Sequence, residues 1–265
     1  MLKYEERFSI AKLNFCVNAD KDPPIRWLRE LKGRFPRYSS GRKPDIRISL
    51  YYNIKKRRGF KQKKLFDTPY DVYGRIDNGL HVTAYAKRNY IPFGDILRIL
   101  ACNFLIKRNG FFLHSCGVKI DGGAYLFAGP SGAGKTTIAK LNLKRNKILS
   151  DETVAVVKNQ KDYNAYATPF FGDLAKVTSD DNAPVKAVFF LKQSNRFGHK
   201  RLDTLRAAQA LLQNIFLIGN ECKDNLGRVF DIALDLVKRV PAYELGFLPK
   251  EQIWRYIEKE ISPGG

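Results

Sequence analysis

Ala124-Tyr125-Leu126-Phe127-Ala128-Gly129-Pro130-Ser131-Gly132-Ala133-Gly134-Lys135-Thr136-Thr137 is the stretch whose reading decides how this chain is built. A short apolar run rich in β formers leads into a segment that fits G-x-x-x-x-G-K-[ST] at every fixed position. The glycines let successive backbone N–H groups curl around a polyphosphate without Cβ clashes. The following helix points its positive end at the anion. Thr137 to Lys144 reads as that helix, with Ile138, Ala139, Leu141 and Leu143 interspersed with Lys140, Asn142 and Lys144. A chance glycine-rich turn would need strand, fixed residues and helix to coincide. The loop Gly129–Thr137 is therefore expected to bind a nucleotide such as ATP, with Lys135 on the β/γ-phosphates and the Thr136 hydroxyl on Mg²⁺.

Downstream, Lys147-Ile148-Leu149-Ser150-Asp151-Glu152 puts Asp151 sixteen positions past Lys135. A helix of about ten residues and a short strand fit that gap and bring Asp151 and Glu152 back beside the loop, as a parallel unit would. One carboxylate can hold Mg²⁺ and the other can accept a proton from an attacking hydroxyl. An acidic turn between strands is the plainer alternative. Upstream, His114 lies fifteen residues before Gly129, on a strand expected to turn at Asp121–Gly123 and pair with the loop strand. On spacing alone, a core histidine and a site histidine are equally good readings.

The order His114-x-x-Gly117-Val118, Asp121-Gly122, the glycine loop, and then Leu149-Ser150-Asp151-Glu152 resembles the HPr kinase/phosphorylase family, and more closely its shorter, divergent members. Phe111 to Phe190 carries the resemblance. It implies a nucleotide-binding domain similar to that of phosphoenolpyruvate carboxykinase. It also implies that Lys135 contacts phosphates, Thr136 binds Mg²⁺, and Asp151 activates a hydroxyl, with Glu152 near the metal and His114 beside the transferred phosphate. Thr168-Pro169-Phe170-Phe171-Gly172-Asp173 looks like the segment where such proteins place another acidic metal-site residue, which makes Asp173 a further candidate. HPr kinases proper have two aspartates where this chain has Asp151-Glu152, and usually serine at Thr136. Their Glu-Ile-Arg-Gly-type signature is absent here, which directs the expectation to a hydroxyl other than that of HPr.

The wider chain sets the frame. With 265 residues, 44% of them hydrophobic and 12% aromatic, it can bury a substantial core. The fold class expected is α/β (α+β overall): a strand-rich N-terminal domain over residues 1–91 and a nucleotide-binding domain over 92–265, entered through a helix at 92–109. Strands are expected at Phe8–Val17, Asp45–Tyr51, Tyr70–Ile76 and Leu80–Ala86, the last two joined by the hairpin signal Asp77-Asn78-Gly79. A short helix is expected at Ile25–Leu31. In the second half, strands are expected near Phe111–Val118, Ala124–Ala128, Lys147–Leu149, Val154–Val157, Val185–Leu191 and Ala242–Phe247. Helices are expected at Phe93–Arg108, Thr204–Phe216, Asn225–Lys238 and Lys250–Lys259. No segment reaches the roughly 18 apolar residues of a membrane helix, and the N-terminus lacks a signal-peptide core, so a cytoplasmic protein is expected. Cys16, Cys102, Cys116 and Cys222 are scattered, without metal-ligand or disulfide spacing.

Net charge is +21, from 47 Lys+Arg against 26 Asp+Glu, and Lys55–Lys64 concentrates seven cations in ten residues. That run suggests an acidic partner, or simply a solvated loop on a basic surface. Lys192, Arg196, Lys200 and Arg201 are candidate cations for the γ-phosphate. Two functions follow. The first is an ATP- and Mg²⁺-dependent kinase acting on a hydroxyl of a peptide, protein or small molecule. The second is a nucleotide-dependent switch whose basic surface binds an acidic partner such as nucleic acid. Oligomer formation is compatible with either.

Overall fold

A computed structural model of the chain describes residues 3–20, 43–52, 63–64, 72–77, 81–86, 93–143, 147–170, 172–174, 181–217, 225–250 and 252–260. The chain divides into two compact units, one running up to Phe104, the other from Leu105 to Phe216 and from Asn225 onward. Both are built on sheets, and the described residues form a mixed α/β protein.

The first unit holds a six-stranded sheet in the order β1-β2-β3-β6-β5-β4: β1 Tyr4–Ile10, β2 Leu13–Ala19, β3 Ile46–Tyr52, β4 Lys63–Lys64, β5 Val72–Asp77 and β6 His81–Ala86. The expected strand over Phe8–Val17 is two strands. The chain reverses at Ala11-Lys12, both with positive φ, and Ile10 pairs with Leu13. β5 and β6 pair antiparallel from Val72↔Ala86 to Asp77↔His81, so the two strands expected around Asp77-Asn78-Gly79 are neighbours, with Asp77 inside the first of them. The expected helix at Ile25–Leu31 lies outside the described residues, as do Lys55 to Gln62 of the basic run. Helix α1, Phe93–Lys107, follows the sheet, and the division between the units falls within it.

In the second unit the long strand β7, Gly110–Ile120, turns at Asp121-Gly122 into β8, Gly123–Ala128. After the glycine loop come α2, Lys135–Asn142, then β9, Lys147–Ser150, β10, Thr153–Asn159, and β11, Asp162–Tyr166. The rest is β12 Asn182–Gln193, β13 Gly198–Arg201, α3 Thr204–Leu212, α4 Leu226–Arg239, β14 Ala242–Phe247 and α5 Gln252–Glu260. The sheet order is β11-β10-β7-β8-β12-β14-β13, with β9 on β7 and an added β11–β12 pairing. β12 and β14 run parallel to β8, so all three end at the edge where the loop begins. β9 does not pair with β8. β7 lies antiparallel to each, so β9 still delivers its end to the loop's edge.

One face of this sheet carries a core of Cys116, Val118, Phe127, Phe189, Leu191, Leu245 and Phe247 under Ile138 and Ala139 of α2 and Ile253, Trp254 and Ile257 of α5. Phe127 stacks on Phe189 with ring centroids 5.0 Å apart and meets Trp254 edge-on at 5.6 Å. Burying such aromatics contributes on the order of 2 kcal/mol each, which holds α2 and its loop on the sheet. α3 stops at Leu212 and not at Phe216. There the chain turns to give up its backbone groups to β7: Asn214 O accepts the His114 N–H at 2.8 Å, and Phe216 N–H donates to Phe112 O at 2.9 Å.

Candidate functional site

β7 assembles the site. Its Ser115 pairs with Ala128, the last residue before the loop, while His114 pairs with Thr153 and Gly117 with Ser150. The corner Asp151-Glu152 between β9 and β10 is thus placed opposite Ser115-Cys116, and the Ser115 N–H donates to Glu152 O at 3.0 Å. Ser150 Oγ tightens the corner by accepting from the N–H groups of Glu152 and Thr153. One cleft of about 360 Å³ results, lined by His114, Ser131, Gly132, Gly134, Lys135, Thr136, Thr137, Asp151, Glu152, Gly172 and Asp173. It brings together His114, Asp151, Glu152, Asp173 and most of the loop. Among the described residues, Gly129, Pro130 and Ala133 do not line it, and neither do Lys192, Arg196, Lys200 or Arg201.

The loop is held from below. Gly134 sits at φ 106°, and a Cβ there would come within 2.5 Å of the Phe247 ring. Gln193, at the end of β12, donates Nε2–H to Gly132 O at 2.9 Å. Neither Gln193 nor Phe247 belongs to a motif. Their only sequence signal is a position at the ends of strands that reach the loop.

α2 begins after Gly134 with no side-chain cap and no acidic residue in its first turn, and its first residues Lys135, Thr136 and Thr137 line the cleft. Lys135 is 7% exposed, and its ammonium donates to Gly129 O at 2.7 Å and Pro130 O at 2.9 Å. Among the described residues no carboxylate forms an ion pair with it. Burial lowers its pKa below the ordinary lysine value, opposed by the negative charge of Glu152. Behind it, burial pushes the Cys116 thiol up, the Asp151 charge adds to the effect and Lys135 opposes it.

Asp151 is 2% exposed. Its Oδ1 accepts from Gly172 N–H at 2.9 Å and its Oδ2 from Leu174 N–H at 3.0 Å. Glu152, half-buried, and Asp173, exposed, complete the acidic wall. The His114 ring lies 5.5 Å from that of Phe216, so the histidine has an aromatic neighbour and also lines the cleft. Thr136, Glu152 and Asp173, the expected metal ligands, share this cleft. Among the described residues, no group of three or more His, Cys, Asp or Glu could by itself hold a metal ion. The donor set still fits anions bearing a cation. An uncapped helix N-terminus and a buried ammonium would suit anionic oxygens, and a hydroxyl and two carboxylates would remain for a cation.

Fold and site define a class: an α/β protein whose glycine loop, strand end and acidic corner share one polar cleft. The family model described as "SynChlorMet cassette protein ScmC" matches residues 95–262, more than half of the chain, and the chain belongs to that family. No curated protein matches it. Among solved structures, the Hpr(Ser) kinase/phosphatase from Coxiella burnetii is 10% identical, covering 56% of this chain and 86% of that one, with a TM-score of 0.32. A likeness that distant carries no functional weight. Among the described residues, no helix is long and apolar enough to cross a membrane.

Proposed function

We propose that the cleft binds ATP with Mg²⁺ and transfers the γ-phosphoryl group to a hydroxyl, in the manner of an HPr kinase-like phosphotransferase with a different acceptor. The observation that carries this reading is the make-up of one cleft. Its lining combines the start of a helix with no side-chain cap, a buried lysine that forms no ion pair among the described residues, and three carboxylates. Phosphate oxygens would replace the loop carbonyls as partners of Lys135, and the first-turn N–H groups of α2 would add to the charge stabilisation.

Thr136, Glu152 and Asp173 are the residues that would hold Mg²⁺, which when bound neutralises charge on the phosphates. Asp151 orients the acceptor hydroxyl and takes its proton as the new O–P bond forms. The bond from the γ-phosphorus to the β–γ bridging oxygen breaks, and ADP leaves with that electron pair. A carboxylate oxygen has two lone pairs, so the amide bonds to Asp151 leave it capacity to accept this proton. His114 stands beside the transferred group, and positioning accounts for most of the catalysis.

Incubation with γ-labelled ATP, Mg²⁺ and fractionated cell extract tests the reading. Label is expected in one acceptor, with Asp151→Asn lowering transfer by about a hundredfold or more. Full transfer by Asp151→Asn would remove Asp151 from this role. Label found only in free phosphate would point instead to an NTPase switch.

A further inference from the structure

Proton transfer does not require Asp151 to be buried, yet it is 2% exposed and both its oxygens hold backbone amides. Those amides belong to Gly172 and Leu174, the neighbours of Asp173, whose side chain lines the cleft. The bonds span 21 and 23 positions of sequence, so no local turn produces them. Gly172 makes the approach sterically open. A Cβ there would lie 3.0 Å from Asp151 Oδ2 and 3.4 Å from Glu152 Oε2, so a side chain would crowd both carboxylates and the segment or the corner would have to give by a few tenths of an ångström. The segment's start is fixed separately: Thr168 Oγ1 donates to Thr153 O at 2.6 Å and accepts the Phe170 N–H at 3.3 Å.

We propose that Asp151 is also a positioning residue: its carboxylate is a two-amide latch on residues 172 and 174 that sets Asp173 in the cleft. A buried acid thereby places an exposed one, and the corner and the 172–174 segment work as a unit. That Asp173 then meets a nucleotide complex rests on the function proposed above; the latch does not. Charge-assisted bonds of this kind are about twice as strong as neutral ones. Asparagine cannot replace the latch, because it offers one acceptor oxygen and turns an NH₂ group toward the second amide.

Hydrogen exchange on the full chain reads the latch directly. In Asp151→Asn and in Gly172→Ala, exchange of the residue 172 and 174 amides should accelerate about tenfold or more. Glu152→Gln should leave it within about twofold. Far-UV circular dichroism identifies an unfolded variant, and if Asp151→Asn is one, Gly172→Ala carries the test alone. A second arm measures affinity for the Mg²⁺ complex of the β,γ-imido analogue of ATP. Asp151→Asn and Asp173→Asn should each weaken it, and the double variant should be no weaker than the worse single within about twofold. Unchanged exchange in both Asp151→Asn and Gly172→Ala, or losses that multiply in the double variant, would overturn the latch. No binding by the wild-type chain would sink the nucleotide reading, while the exchange arm would still decide the latch.

Discussion

Lys135 states the site's physics in one residue. It is buried, its ammonium rests on two loop carbonyls, and burial lowers its pKa. A base with a folded pKa below its unfolded value binds fewer protons when folded. The ligand-free protein therefore carries a penalty below that folded pKa, relieved as pH rises toward the ordinary lysine range. Lys135→Met should raise ligand-free stability at pH 7 by about 1 kcal/mol in thermal unfolding, a gain that shrinks at alkaline pH. A loss of stability would mean that the lysine is a structural strut. Gly134 is the opposite case. Alanine there must accept φ 106° and contact with Phe247, so Gly134→Ala should cost about 1–3 kcal/mol and weaken nucleotide binding with it. Unchanged affinity and melting temperature would show that the loop relaxes freely. The sequence named Gly134 and Lys135 because their motif is contiguous, and Asp151 because a helix and a short strand fit the sixteen positions between it and Lys135. It was silent on the amides that Asp151 holds, since no short-range pattern encodes bonds across 21 and 23 positions.

At the scale of elements, β7 does the assembling. It carries β8 on one edge and β9 and β10 on the other, and so brings His114, the loop and the acidic corner together. Its hairpin with β8 was legible from the Asp121-Gly122 turn. β13, Gly198–Arg201, was not: it is a short, largely exposed edge strand with no apolar alternation to read. β11 was missed because Asp162 and Asn164 are poor strand formers, although Tyr163 and Ala165 face inward. α4 is tied to this layer through Asp235, which accepts from Tyr163 at 2.8 Å and Arg239 at 3.0 Å and pairs with Lys158 at 2.8 Å. Burial raises the pKa of this carboxyl, but the bonds from Lys158, Tyr163 and Arg239 outweigh it and hold the pKa at about 2. A depressed carboxyl pKa stabilises the fold above the unfolded value near 3.9, and that stability is lost as pH falls toward about 2. Asp235→Asn should therefore cost about 1 kcal/mol at pH 7 and close to nothing at pH 2, compared by denaturant titration at the two pH values. An equal deficit at both would assign the effect to packing.

For the whole molecule, the α/β class followed from strands and helices interleaved around one glycine loop, and the structure has that character. The compact units are set by which residues meet across the sheets, information that composition does not hold. Membership of the ScmC family spans the cleft-bearing half, so loop and corner are read within one family unit. Bound ligand should stabilise that unit. At about a hundred times the dissociation constant the gain is about 2.7 kcal/mol, visible in scanning calorimetry as an upward shift of its transition. An unshifted thermogram would argue that the loop grips nothing.

The proposed function depends on the cleft holding a nucleotide polyphosphate. Isothermal titration of Mg²⁺·ATP into the wild-type chain and into Lys135→Met tests that most directly. The account requires saturable binding at one site per chain that falls by about a hundredfold or more in the variant. No binding by the wild-type chain, or equal binding by both, would contradict it.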